Sequence, residues 1–191
     1  MSVHQHGNRT IRKTILIYCE GETERIYFEQ LRILKRSKKV SVKIKNVKRS
    51  AIKLAQHAFR DSSYQYCDEV WIVFDKDDLT DKQLDEVNMF CEEKNIHIAY
   101  SNEAFELWLL LHFEEVDVSE KYPRAVLNHK MAEHLGVTRY FRHKADESII
   151  APIALLHEVA MKNCAEMMSL RNSDNRDNPY CNIHDMIQYI F

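Results

Sequence analysis

Apolar residues recur in two rhythms along the chain. Short runs at 15–18 (ILIY), 70–74 (VWIVF) and 96–100 (IHIAY), with the alternating stretch 40–48 (VSVKIKNVK), have the length and β-branched content of strands. Helical spacing separates them. Residues 22–35 place Ile26, Tyr27, Leu31 and Leu34 on one face, with acids early and bases late. Residues 50–60 open on Ser50 as an N-cap and turn Ile52, Leu54, Ala55 and Ala58 inward, and residues 81–93 do the same with Leu84, Val87 and Phe90/Cys91. The order βαβαβαβ predicts an α/β fold, a mostly parallel sheet with right-handed crossovers and helices on its faces.

Beyond residue 100 the rhythm becomes purely helical. Residues 101–112 (SNEAFELWLLLH) start on a serine suited to an N-cap and are apolar on nearly every side, so a buried helix is expected. After an acidic loop at 114–121, a helix begins at Pro123 and ends at Gly136. A longer one, 148–168, is built around Ile153, Leu156, Val159, Ala160 and Met167, with Met161 and Met168 as packing. A polar loop at 171–179 leads to a final helix, 183–190, capped by Asn182. The expected division is an N-terminal arm at 1–12, whose His4 and His6 belong to a frayed end, an α/β core at 13–113, and a helical annex at 114–191 packed on that core.

Composition narrows the partners. With 27 basic and 29 acidic residues the net charge is −2, so attraction to nucleic acid has to come from local clustering. Residues 35–49 hold eight Lys/Arg, among them Lys43, Lys45, Lys48 and Arg49. Two readings stand: a solvated edge strand protected by its lysines, or a phosphate-binding stretch. The five cysteines (Cys19, Cys67, Cys91, Cys164, Cys181) lack any CxxC pair and are expected as reduced thiols. No apolar run approaches the roughly 20 residues of a membrane helix, and no signal-peptide core precedes Ile15. A cytoplasmic protein without membrane contact is expected.

Chemistry gathers at strand ends. The first strand runs into Glu20-Gly21-Glu22-Thr23-Glu24, where Gly21 permits a tight turn, and the second apolar run ends in Asp75-Lys76-Asp77-Asp78. In open parallel sheets the carboxyl edge is where ligands bind, so Glu20, Asp75 and Asp77 are candidates for a shared Mg²⁺ or Mn²⁺ site built from hard oxygen ligands. Such an ion would serve phosphate chemistry. Glu106, set among Phe105, Leu107 and Trp108, needs a partner: a buried Lys or Arg, or the metal. Neither GxGxxG nor GxxxxGK[ST] occurs, which excludes the common dinucleotide and P-loop sites. Cys19 lies inside an apolar strand and is read as structural rather than nucleophilic.

Taken jointly, the EGETE turn, the strand ending DKDD, the helix motif SNEAFELWLLLHF and the late NPYCNIHDMI resemble the RloB-like proteins, bacterial members of the Toprim superfamily, over residues 13–191. The resemblance implies a Toprim-like sheet in which Glu20, Asp75 and Asp77 bind Mg²⁺ and act in phosphodiester cleavage or transfer. It also implies Glu24 as a second acid and Glu106 as a completing ligand, and an association with phage defence beside a partner ATPase. Cys181 departs from the Ser or Thr expected in the closing segment. The resulting expectation is a metal-dependent nuclease or nicking enzyme acting on DNA or RNA, with the 35–49 stretch holding phosphates; the oligomeric state stays open. A topoisomerase or primase would need domains that 191 residues do not provide. The competing reading is a non-catalytic module that binds nucleic acid, nucleotide or a partner ATPase through the same acidic cleft.

Overall fold

The computed structural model describes residues 12–36, 40–77, 79–171 and 175–191; the arm with His4 and His6, basic residues 38 and 39, and Asp78 lie outside them. Four parallel strands, β1 (Lys13–Cys19), β2 (Val40–Asn46), β3 (Glu69–Asp75) and β4 (Ile96–Asn102), alternate with helices α1 (Glu22–Leu34), α2 (Ala51–Arg60) and α3 (Asp81–Glu93). A fifth strand, β5 (Tyr180–Cys181), completes the sheet order β2-β1-β3-β4-β5 and runs antiparallel to β4. The expected α/β class and mostly parallel sheet are present.

Why the central strands read as unbroken apolar runs is visible in their two faces. Ile15, Ile17 and Cys19 of β1 and Trp71 and Val73 of β3 enter one core cluster, while Leu16 and Tyr18, with Val70, Ile72 and Phe74, enter the other. The second cluster is closed by Leu54, Ala55 and Ala58 of α2 and Leu84, Val87 and Cys91 of α3. The first is closed by α1 and by α4 (Glu106–Leu110), α5 (Arg124–Leu135), α6 (Glu147–Ile153), α7 (His157–Ser169) and α8 (Ile183–Ile190). Within that layer the buried His112 Nδ1 lies 2.9 Å from the Trp108 carbonyl, which can only accept, so Nδ1 carries the proton and Nε2 accepts from the Tyr27 hydroxyl at 3.0 Å. Helices α5 to α8 pack against the sheet, and the stretch after α7 also contributes β5.

Several expectations are corrected here. The helix expected at 101–112 starts only at Glu106, because Ser101 and Asn102 extend β4: Ser101 is in register with Asp75 on one side and Cys181 on the other, and Asn102 with Tyr180. The helix expected at 148–168 is broken into α6, a 3-10 turn at Ala154–Leu156 and α7. Pro152 removes an amide donor near the break, and the change of phase leaves Leu156 and Val159 exposed while Ala160, Cys164 and Met167 face inward. Leu34 is also exposed, and neither Ser50 nor Asn182 caps its helix through the side chain. Asn182 instead accepts from the Tyr100 N–H (2.7 Å) and donates to the Ile98 carbonyl (3.3 Å), prolonging the β4–β5 ladder. Gly136 ends α5 in the left-handed conformation (φ 63°), as its position predicts.

Candidate active site

From β1 the chain moves outward to β2 by way of α1, then returns past β1 to β3 and on to β4 by way of α2 and α3. The strand order thus reverses between β1 and β3, where an open sheet leaves a crevice at its carboxyl edge. Glu20 follows β1 there, its N–H bonded to the Val73 carbonyl (3.0 Å), and Asp75 ends β3. A cavity of about 240 Å³ at this edge is lined by Glu20, Gly21, Thr23, Glu24, Asp75, Asp77, Phe105, Glu106, Arg124 and Lys144. All five candidate acids meet in it.

Each carboxylate is placed by local structure. Asp75 Oδ1 accepts from the Phe105 N–H at 2.8 Å, which ties the end of β3 to the entry of α4. Lys76 turns the other way and binds Asp81 (2.9 Å). The chain then reverses at Asp77 (φ 38°), whose N–H donates to the Glu103 carbonyl at 3.1 Å. Asp is among the residues that tolerate this left-handed turn. Glu24 is the third residue of α1, and its carboxylate bends back over the first turn, where the backbone N–H groups of Gly21 and of Glu24 itself favour its charge. That placement explains Gly21 differently from the expectation: its backbone is extended (φ −115°) and would accept any residue, but a Cβ there would fall on the Glu24 carboxylate. Glu106, 3% exposed, pairs with Lys144 at 2.8 Å, and its second oxygen, Oε2, is buried with no hydrogen-bond partner.

Burial, with crowding behind it, raises the proton affinity of Glu20, Glu24 and Asp75. Burial, then the Asp77 charge, pushes Glu20 up to about 6, against the Asp75 backbone hydrogen bond and Arg124. Burial pushes Glu24 up to about 7, with the Glu106 and Glu20 charges adding to it. Asp75 is held well above the ordinary carboxylate range by burial and by Glu24, Glu106 and Asp77, Arg124 opposing. Two cations answer the charge. Arg124 contacts Asp75 Oδ2 at 3.3 Å and also binds Asp77 Oδ1, so one guanidinium bridges the pair. Lys144 is fastened by its own carbonyl, which accepts from the Thr23 hydroxyl at 2.6 Å. Among the described residues, no three histidine, cysteine or acidic side chains form a ready-made cation cage.

Sequence reasoning had a signal for every acid but none for Arg124 or Lys144, which are ordinary cations in the annex until tertiary packing brings them to the sheet. The basic stretch divides. Lys43 and Lys45 stand in register with Leu16 and Tyr18, on the α2 side of the edge strand β2. Lys43 is exposed, while Lys45 binds Asp61 (2.7 Å) and Ser63 (3.0 Å). Lys48 and Arg49 are exposed and follow β2 at the same sheet edge as Glu20. Cys19 is fully buried and its thiol is pushed well up by burial, as a structural cysteine would be. No helix among the described residues is long and apolar enough to cross a membrane.

Comparison with curated proteins gave no match, and comparison with solved structures gave none. A family model described as RloB-like protein matches residues 15–190, which take in the whole five-stranded sheet apart from the first two residues of β1, every residue of the pocket and all eight helices. The chain belongs to the RloB-like protein family.

Proposed function

We propose that the pocket is a Toprim-type, Mg²⁺-dependent phosphodiesterase centre, and that the protein is a nuclease or nicking enzyme acting on DNA or RNA in bacterial anti-phage defence. The observation that carries this reading is the convergence of Glu20, Glu24, Asp75, Asp77 and Glu106 on one cavity at the strand-order reversal. Five carboxylates so placed repel one another, and cations must hold them together. The donor set fits Mg²⁺ or Mn²⁺: hard oxygens throughout, one of them, Glu106 Oε2, buried without a partner. Glu20, Asp75 and Asp77 would hold the ion, with Glu24 and Glu106 behind them. When bound, Mg²⁺ neutralises charge on the phosphate and lowers the proton affinity of coordinated water.

The protein's own groups complete the chemistry. Glu20 would act as a carboxylate ligand, the charge of the ion offsetting its burial beside Asp77. Lys48 and Arg49 offer positive charge to a backbone arriving at the same edge. Incubation of labelled DNA and RNA with Mg²⁺, Mn²⁺ or EDTA, beside Asp75→Ala, tests the reading. Cleavage that requires the divalent ion and falls at least about a hundredfold in the variant is expected; cleavage insensitive to either change overturns it.

One observation favours a second reading, a non-catalytic module that binds nucleic acid, nucleotide or a partner ATPase. Arg124 and Lys144 already pair with three of the acids. Binding of those partners with no cleavage under any divalent ion would support it.

A further inference from the structure

Arg124 and Lys144 answer the same crowd of carboxylates in different ways. Lys144 meets a carboxylate that is 3% exposed, and its backbone is fastened to Thr23, so that pair belongs to the packing. Arg124 projects from the first turn of α5, which is seated by buried Leu127 and Met131 and, just before it, by Tyr122, whose N–H donates to Asn178 Oδ1 (2.8 Å) and whose carbonyl accepts from Asn178 Nδ2 (2.9 Å). Its side chain is 37% exposed, and among the described residues its only partners are Asp75 and Asp77. The helix is held by its packing, while the guanidinium reaches solvent.

The oxygens it takes are specific. Asp75 Oδ1 is spent on the Phe105 N–H, which leaves Oδ2 as that residue's available acceptor; Arg124 takes Oδ2 together with Asp77 Oδ1. A divalent cation shared by Asp75 and Asp77 would compete with the guanidinium for the charge of this pair. The guanidinium and a metal ion on this pair repel each other, so binding of one disfavours the other. We infer that Arg124 is a displaceable stand-in for the divalent cation, closing the Asp75/Asp77 pair until the ion enters and then swinging outward. The inference rests on the phosphodiesterase reading insofar as that reading places a cation on these acids.

Competition of this kind has a definite sign. The ion must first break the guanidinium bridge, so its apparent affinity is lowered by the fraction of time the bridge is open. Mn²⁺ binding measured by isothermal titration on the full chain, with metal-dependent melting as a second readout, tests this in the wild type, Arg124→Gln and Arg124→Lys. The glutamine variant is expected to bind Mn²⁺ about 5–10-fold tighter than wild type, as loss of a half-exposed forked ion pair of about 1 kcal/mol predicts. The lysine variant, which keeps the charge but loses the fork, is expected between the two and serves as the test if the glutamine variant fails to fold. Equal or weaker binding by the variants overturns the inference while leaving a cation site intact. Absence of Mn²⁺ binding in all three proteins overturns it together with the cation reading.

Discussion

The face of the sheet covered by α2 and α3 is closed by helices that follow directly between its strands, from residue 51 to residue 93, whereas the opposite face is closed by α1 and by helices drawn from residues 106 to 190. Pocket residues divide unevenly between them. Thr23 and Glu24 belong to α1, Glu106 to α4, Arg124 to α5 and Lys144 to the link between α5 and α6, and the remainder come from strand ends and the turns after them; none comes from α2 or α3. The α2 and α3 layer thus supplies scaffold alone, while the opposite layer adds Glu24, Glu106 and both cations to the acids of the strand ends. A face assembled from distant segments can bring together groups of opposite sign that no short crossover would hold side by side.

The largest effect that tests this contrast lies on the scaffold side. Leu54 is fully buried in α2, so Leu54→Ala should cost about 2–5 kcal/mol in urea unfolding while cleavage per folded molecule stays unchanged. Loss of cleavage in the folded variant would show that the two faces are not independent.

A pH series comes next in size. Glu20, Glu24 and Asp75 hold protons more tightly when folded, so their contribution to stability is complete below the ordinary carboxylate range and is lost as pH rises toward 7. His112, buried and held down near 4, acts with the opposite sign, so the acids are best isolated by difference. Relative to wild type, Glu24→Gln should gain about 3 kcal/mol between pH 4.5 and 7.5 without divalent ions, the shift of Glu24 converted to energy. A difference that does not change with pH would remove Glu24 from the crowded set.

Glu106→Gln should be smaller. Stranding a fully buried cation costs about 3–5 kcal/mol, but Lys144 is one quarter exposed, and a fall of about 1–3 kcal/mol in metal-free unfolding is expected, together with reduced cleavage. Unchanged stability would mean that the ion pair is not part of the packing. Smallest in stability is Gly21→Ala, expected within about 1 kcal/mol because the far end of a flexible side chain can move aside. Moving that carboxylate should still weaken Mn²⁺ binding; binding equal to wild type would show that Glu24 does not serve the site.

The scaffold was largely legible from residues alone, since β1 and β3 are buried on both faces and their apolar runs stop where the acids begin. Helix α3 matches its expected limits, 81–93, because a full capping box at Thr80 and Gln83 marks its start. Legibility failed where tertiary contacts decide. β5 is two residues long and has no pattern of its own, and it drew Ser101 and Asn102 out of a helix by pairing with them. Arg124 and Lys144 stayed invisible for the same reason: their role depends on where α5 and its following loop pack, and no spacing in the chain records that. Lys45 has the alternation of a surface lysine and gave no sign of Asp61, 16 residues away.

The wide separation of the pocket's charges along the chain also sets the order in which synthesis delivers them. All five acids, from Glu20 to Glu106, leave the ribosome before Arg124 and Lys144. At about 5–20 residues per second, the interval between Glu106 and Lys144 is roughly 2–8 s. During it, a nascent chain that has begun to pair β1 with β3 carries an uncompensated knot of negative charge at the sheet edge. Lys48 and Arg49, which follow β2 at the same edge, and ions of the surrounding fluid are the counter-charges within its reach.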